Sequence, residues 1–294
     1  MSAKVGLVSL GCPKNLVDSE IMLGLLKKAG FLITNREEEA DALIVNTCSF
    51  INDAKEESIK TILELANRKA EGRCKALLVA GCLAQRYPGE LEAEMPEIDG
   101  LIGTGSVPEI AFAVEKALAG ERISMVETPG YLHTAEYPRL LATPGYTAYI
   151  KIAEGCDNRC AYCTIPDIRG PFHSRPMEDI QTEASALVDR GAGELILIAQ
   201  DTTRYGMDIY GKPSLAGLLG RLAGLEGVVW LRVMYAYPAL INRELINVMA
   251  TERKICRYLD IPLQHACDQT LRRMNRRGGR EDIINLVQEL RSAI

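Results

Sequence analysis

At 294 residues and 32.3 kDa the chain is long enough for two ordinary domains. A content of 47% hydrophobic and 25% charged residues excludes a largely disordered or collagen-like protein, and a net charge of −5 excludes a surface that is basic throughout and wraps nucleic acid. No apolar run approaches bilayer length and the start Met1-Ser2-Ala3-Lys4 carries no signal-peptide pattern, so a cytoplasmic protein with no membrane partner is expected.

In chain order, short apolar runs alternate with amphipathic stretches. Strands are predicted over 5–10, 42–45 and 76–80, with a shorter one over 101–103. Helices are predicted over 18–29, 52–70, 84–94 and 107–118; Asn52 or Asp53 is the candidate N-cap of the second, and Gly30 stops the first. The order β-α-β-α predicts an α/β fold with a doubly wound parallel sheet, domain 1–120. Residues 121–146 read as a linker, punctuated by Pro129-Gly130, Pro138 and Thr143-Pro144-Gly145. Charge divides at the same place: residues 1–120 hold 13 basic and 18 acidic side chains, and residues 121–294 hold 21 of each. A second series follows, with strands over 147–153, 194–199, 228–234 and 258–262 and helices over 177–190, 215–222, 243–250 and 281–294. Four strand-helix repeats predict part of a β/α barrel, domain 147–294. Four units cannot close a barrel of eight and the last helix has no glycine stop, so this domain is expected to be truncated.

Nine cysteines are too many to pass over, and a chain of this size needs no disulfide staples. In a reducing compartment, clustered cysteines point to metal or redox chemistry. Cys156, Cys160 and Cys163 form a C-x3-C-x2-C run. Three thiols within eight residues can wrap one side of an iron–sulfur cluster and leave one iron open; a structural zinc site would need a fourth ligand, and the next histidine, His173, stands ten residues on. Cys12, Cys48 and Cys82 each follow a predicted strand by a few residues. In an open α/β sheet those loops gather at the carboxyl edge, so residues 36 and 34 positions apart can meet; the alternative is three separate core cysteines. Cys74, Cys256 and Cys267 read as core or surface thiols. His265 closes the run Ile-Pro-Leu-Gln-His, where a structural role is at least as good a reading as a functional one. Five arginines, Arg272, Arg273, Arg276, Arg277 and Arg280, read either as a patch for RNA or an acidic protein surface, or as a solvated helix end.

The C-x3-C-x2-C run resembles the signature of the radical S-adenosylmethionine (SAM) superfamily. The N-terminal triad narrows the resemblance to its methylthiotransferases. The segment Gly11-Cys12-Pro13-Lys14-Asn15-Leu16-Val17-Asp18-Ser19-Glu20 is similar to the motif of the branch that modifies an aspartate of small-subunit ribosomal protein twelve. Asn46-Thr47-Cys48-Ser49-Phe50-Ile51, Gly81-Cys82-Leu83-Ala84-Gln85-Arg86-Tyr87, Ile165-Pro166-Asp167-Ile168-Arg169-Gly170, Gln200-Asp201-Thr202-Thr203-Arg204-Tyr205-Gly206 and Leu259-Asp260-Ile261-Pro262-Leu263-Gln264-His265 agree with it. The resemblance covers essentially the whole chain; it implies further barrel strands and a small C-terminal β domain (TRAM), which this sequence is expected to lack.

The resemblance implies two [4Fe-4S] clusters. The one on Cys156, Cys160 and Cys163 would bind SAM at its open iron and cleave it reductively to a 5′-deoxyadenosyl radical, which takes hydrogen from an unactivated β-carbon. The one on Cys12, Cys48 and Cys82 would present methylated sulfur. No side-chain acid–base pair is demanded, so no catalytic residue beyond the ligands is expected. By strand position, Gln200, Asp201 and Gln264 would contact the polar groups of SAM, and Tyr162 its adenine; each has an alternative local duty, Asp201 as a helix cap. The implied partners are the ribosomal protein as substrate, an electron donor, a sulfur source and ribosomal RNA near the substrate. A sister branch that methylthiolates an adenosine of transfer RNA shares all six ligands; Pro13-Lys14-Asn15-Leu16-Val17, Phe50-Ile51 and the acidic first domain favour the protein-directed branch. A non-catalytic iron–sulfur or zinc protein is the reading from another class.

Overall fold

The computed structural model describes residues 2–294. It divides into two units: the first runs to Ala142 and takes in Asp167–Gly170, and the second comprises Thr143–Pro166 and Pro171–Ile294.

In the first unit β1 (Lys4–Ser9), α1 (Pro13–Lys28), β2 (Leu32–Thr34), β3 (Ala42–Thr47), α2 (Asn52–Glu71), β4 (Ala76–Gly81), α3 (Cys82–Arg86), α4 (Pro88–Glu94), β5 (Gly100–Ile102), α5 (Ile110–Leu118) and β6 (Ile123–Met125) follow one another. The strands pair in parallel in the order β2-β1-β3-β4-β5-β6. Every residue of β3 and β4 is buried, as a central parallel strand covered on both faces requires. Leu43, Val45, Leu77 and Val79 pack with Ile62 and Leu65 of α2 into the core. On the carboxyl side of this packed centre lie the loops that carry Cys12, Cys48 and Cys82.

Three local expectations change. Helix α1 starts at Pro13, five residues before the predicted start. Proline suits the first helical turn, whose N–H groups have no intrahelical partner. The segment escaped the periodic reading because Asn15, Asp18, Ser19 and Glu20 are polar and buried. The helix predicted over 84–94 is two helices, since Pro88 lacks an N–H and opens a new one. The segment read as a linker contains β6, which closes the sheet edge beside β5.

The second unit contains β7 (Thr147–Lys151), β8 (Ala153–Glu154), β9 (His173–Ser174), α7 (Met177–Asp189), β10 (Glu194–Ile198), α8 (Leu215–Ala223), β11 (Trp230–Val233), α9 (Arg243–Thr251), β12 (Ile255–Leu259), α10 (Asp268–Arg273) and α11 (Arg280–Ala293); between β8 and β9 in the chain comes the short helix α6 (Ile165–Arg169). Its four long strands form a parallel sheet in the order β12-β11-β10-β7, the β/α pattern read from the sequence. Strand β12 lies three residues before its predicted place; Pro262, inside the predicted span, cannot donate to a ladder. Among the described residues no helix is long and apolar enough to cross a membrane.

Candidate iron–sulfur sites

Strands β1, β3 and β4 are neighbours, so the three residues that follow them are brought to one edge. Cys12 is the N-cap of α1, Cys48 directly follows β3, and Cys82 opens α3. Glycines permit the close approach. At Gly11, φ is +88° and an added Cβ would lie 2.7 Å from Cys48 Cβ; at Gly81, φ is +90° and an added Cβ would lie 2.2 Å from Asn46 Oδ1. Buried side chains then fix the loops. Asn15 Nδ2 donates to Thr47 O (2.7 Å), Thr47 Oγ1 donates to Ala80 O (2.6 Å), and Leu83 N donates to Thr47 Oγ1 (3.2 Å). Ser58 Oγ accepts from Cys48 N (3.1 Å) and donates to Cys48 O (2.9 Å).

Burial pushes the Cys82 thiol up to about 11; Arg169 opposes the shift, and Cys12 and Cys48 add to it. Arg169 Nη2 donates to Cys82 Sγ at 3.6 Å and to Asn15 Oδ1, while its Nη1 donates to Asp18 Oδ2 at 2.6 Å.

In the second unit the C-x3-C-x2-C loop follows β7 and β8. Sequence contiguity gathers its thiols, and residues more than a hundred positions later brace it. Ala161 N donates to Met274 O (3.0 Å) and Asn275 Nδ2 to Arg159 O (2.9 Å). Arg276 lies over the Tyr237 ring at 4.5 Å and donates to Pro262 O (2.6 Å), Tyr162 Oη (3.2 Å) and Cys160 Sγ (3.9 Å). Arg276 is thus buried, while the other four arginines of its run are exposed; the run is neither one patch nor one solvated face. Burial pushes Cys156 up to about 11 as well, with Asp201, Cys163 and Cys160 adding to the shift.

Of the residues expected to contact SAM, Gln200 follows β10; its Nε2 donates to Glu154 Oε1 (2.5 Å) and its Oε1 is buried without a hydrogen-bond partner. Asp201 serves as a cap: Oδ1 accepts from Thr203 N (3.1 Å) and Oγ1 (2.6 Å), and Oδ2 accepts from Asn158 Nδ2 (2.8 Å). Gln264 is exposed, with φ +69°, and Tyr162 is half exposed beside Arg276. His265 accepts from Cys267 N at 2.9 Å, a local turn contact. Lys151, Glu154 and Asn158 carry no role in the sequence reading; Asn15, Asp18 and Arg169 stand there only within quoted motifs, and Arg276 only within the arginine run. Polar residues breaking an apolar period were the available signal at Asn15 and Asp18. Lys151, fully buried, donates to Glu154 Oε2 at 2.6 Å at the end of a strand that reads as apolar.

Among the described residues no three His, Cys, Asp or Glu side chains converge closely enough to hold a single metal ion, the demand of a structural zinc site. A four-iron cluster makes a different demand, one sulfur on each of three irons with the fourth left open, and each triad offers three sulfur donors with a buried guanidinium beside one of them.

The chain matches the uncharacterized protein family UPF0004 over residues 4–103 and the radical SAM superfamily over residues 150–294. It is 67% identical to the ribosomal protein uS12 methylthiotransferase RimO of Pelotomaculum thermopropionicum, covering 100% of this chain and 66% of that protein. It is 56% identical to the RimO of Desulforamulus reducens (99% and 66% covered) and 54% identical to that of Heliobacterium modesticaldum (100% and 64%). The chain therefore spans just under two thirds of the length of these relatives. Among solved structures, the radical SAM methyltransferase TsrM of Kitasatospora setae, with cobalamin and a [4Fe-4S] cluster bound, superposes with a TM-score of 0.68 at 15% identity, over 100% of this chain and 65% of that one. The cobalamin-dependent radical SAM enzyme OxsB gives 0.61 at 10% identity, over 98% and 48%. At those identities the likeness is one of fold.

Proposed function

We propose a function from one premise: the chain belongs to the RimO-type methylthiotransferase family of the radical SAM superfamily. On this reading it serves a transferase reaction that adds a methylthio group to the β-carbon of an aspartate in ribosomal protein uS12. The observation that carries the reading is the pair of cysteine triads, one in the loops that follow the parallel strands β1, β3 and β4 and one in the loop after β7 and β8, each beside a buried arginine.

Cys156, Cys160 and Cys163 would hold a [4Fe-4S] cluster that binds SAM, and Cys12, Cys48 and Cys82 a second. When bound, these groups supply the electron that cleaves SAM and the sulfur that is transferred. The chain's own side chains do simpler work. Arg276, Asn275 and the backbone of Met274 and Ala161 hold the three-cysteine loop in one shape. Asp201 caps its own turn and ties Asn158 of the cysteine loop to it. Gln200 is oriented by Glu154, which Lys151 neutralises, and its unpartnered amide oxygen is an acceptor ready for an N–H or O–H group of SAM. Tyr162 and Gln264 are the remaining candidates for SAM contact. An electron donor, a sulfur source and ribosomal RNA near the substrate complete the proposed partners.

Two measurements test this. After anaerobic reconstitution the chain should hold about eight irons with matching sulfide; zinc alone, or one cluster, sinks the two-cluster reading. In cells lacking the full-length gene, mass spectrometry should show uS12 without its methylthio group. Loss of that group from transfer RNA instead would assign the chain to the sister branch.

A further inference from the structure

Arg169 lies in the segment Asp167–Gly170, which belongs to the first unit although the chain enters it from residue 166. The segment is fitted tightly there. Thr104 Oγ1 donates to Ile168 O at 2.5 Å, and at Gly170, where φ is +76°, an added Cβ would lie 2.4 Å from Pro129 O. Its arginine is 4% exposed. A guanidinium keeps its charge in a protein, so burying it requires anionic compensation, and Asp18, itself 3% exposed, supplies that on Nη1. The ion pair by itself would satisfy a structural role. The other nitrogen does something more: Nη2 is shared between Asn15 Oδ1 and the sulfur of Cys82.

Two groups face this sulfur, Asn15 Oδ1 at 3.6 Å and Arg169 Nη2 also at 3.6 Å. The same Nη2 donates to Asn15 Oδ1, so the two groups are fixed against each other as well as against the sulfur. A charged N–H donor draws electron density from a ligating sulfur and favours the more negative, reduced form of the metal group it holds.

We propose that Arg169 is a positioning residue for the cluster ligand Cys82: it orients the sulfur and raises the reduction potential of the cluster on Cys12, Cys48 and Cys82. The proposal rests on reading that triad as cluster ligands, and goes beyond it by assigning the residue that tunes the cluster.

The test isolates one triad. In a parent with Cys156, Cys160 and Cys163 all changed to Ala, reconstituted anaerobically, iron is counted and the midpoint potential is read by a redox titration monitored by electron paramagnetic resonance. The parent should hold about four irons. Arg169→Gln should keep most of the iron and move the midpoint to more negative potential. Arg169→Lys, which retains the charge but loses the fork, should fall between the two. Asp18→Asn removes a negative charge from the same pair and should move the midpoint the opposite way. Opposite signs are what a packing role does not produce. An R169Q midpoint equal to the parent's, or shifts of the same sign in R169Q and D18N, overturns the proposal. Should R169Q fail to fold, R169K decides, and an unshifted R169K midpoint overturns it equally. A parent that binds no iron overturns the reading of the triad, and the proposal with it, a result distinct from iron bound at an unchanged potential.

Discussion

The two triads solve one problem by opposite routes. In the first unit the thiols come from residues far apart in sequence, and a parallel sheet delivers them together; backbone topology does the gathering, and the surround holds the buried ion pair of Arg169 and Asp18. In the second unit the thiols are neighbours in one loop, and the difficulty is holding that loop still. Its clamp is the stretch Met274 to Arg276, beyond the last strand. A contiguous motif is thus easy to read and needs a remote brace, whereas a dispersed triad is hard to read and is braced by the sheet itself.

Removing one triad gives the largest expected effect and tests whether the two are separate. Cys12, Cys48 and Cys82 changed to Ala should halve the bound iron, from about eight to about four per chain, and the same change at Cys156, Cys160 and Cys163 should do likewise. Iron and sulfide analysis reads both. Complete loss in either variant would show that the triads do not load independently.

The glycine that lets β4 turn into α3 should be next in size. Gly81→Ala places a Cβ 2.8 Å from Thr47 O as well as against Asn46, in a left-handed conformation, for a cost of about 3 kcal/mol or more. Gly30→Ala is the control: φ is +93° but nothing lies within 4 Å, so only about 1 kcal/mol of backbone strain is expected. Urea unfolding of both variants checks the difference. Equal losses would mean that close packing at Cys82 matters less than backbone conformation.

Where the sequence was legible follows the same division. Strands β3 and β4 read correctly because a buried parallel strand is apolar throughout, and α2 because its face is amphipathic. The edge strands β2 and β6, three residues each, carry too few positions for a period. The six cysteines could be picked out by spacing and by strand order. Arg169 and Arg276 could not be assigned such roles, since nothing in a linear pattern distinguishes an arginine that tertiary structure buries from one that water covers. Gln200 and Asp201 stand after β10 as expected, but only side-chain geometry separates them: Asp201 has both oxygens engaged, and Gln200 keeps one free of partners.

The remote brace of the second unit is a sharper point of contrast. Arg276→Ala removes two charge-assisted hydrogen bonds to oxygen and a stacked ring, a loss of about 2–3 kcal/mol. Iron on Cys156, Cys160 and Cys163 should be lost faster to a chelator, with iron on the first triad unaffected. Equal loss from both triads would erase the distinction between a clamped loop and a self-braced sheet edge.

The smallest effect concerns what the triads share. Cys82 and Cys156 both have thiols raised from an ordinary 9.0 to about 11, with burial as the leading cause in each. A raised value means that the folded, metal-free chain holds these protons more tightly than the unfolded chain does. Stability from this source is fully present below about pH 9 and is lost as pH climbs toward 11, by about 1.4 kcal/mol per thiol for each pH unit inside that window. Denaturant titrations of the metal-free chain at pH 8, 9 and 10 should therefore show stability nearly level over the first step and falling over the second. Cys82→Ser should flatten part of that fall. On the two-cluster reading bound metal would replace the proton on each of these sulfurs, so the reconstituted chain should show little slope over the same range. A metal-free chain whose stability stayed level to pH 10 would mean that the thiols meet more water than their burial implies, and the two triads would then differ in topology alone.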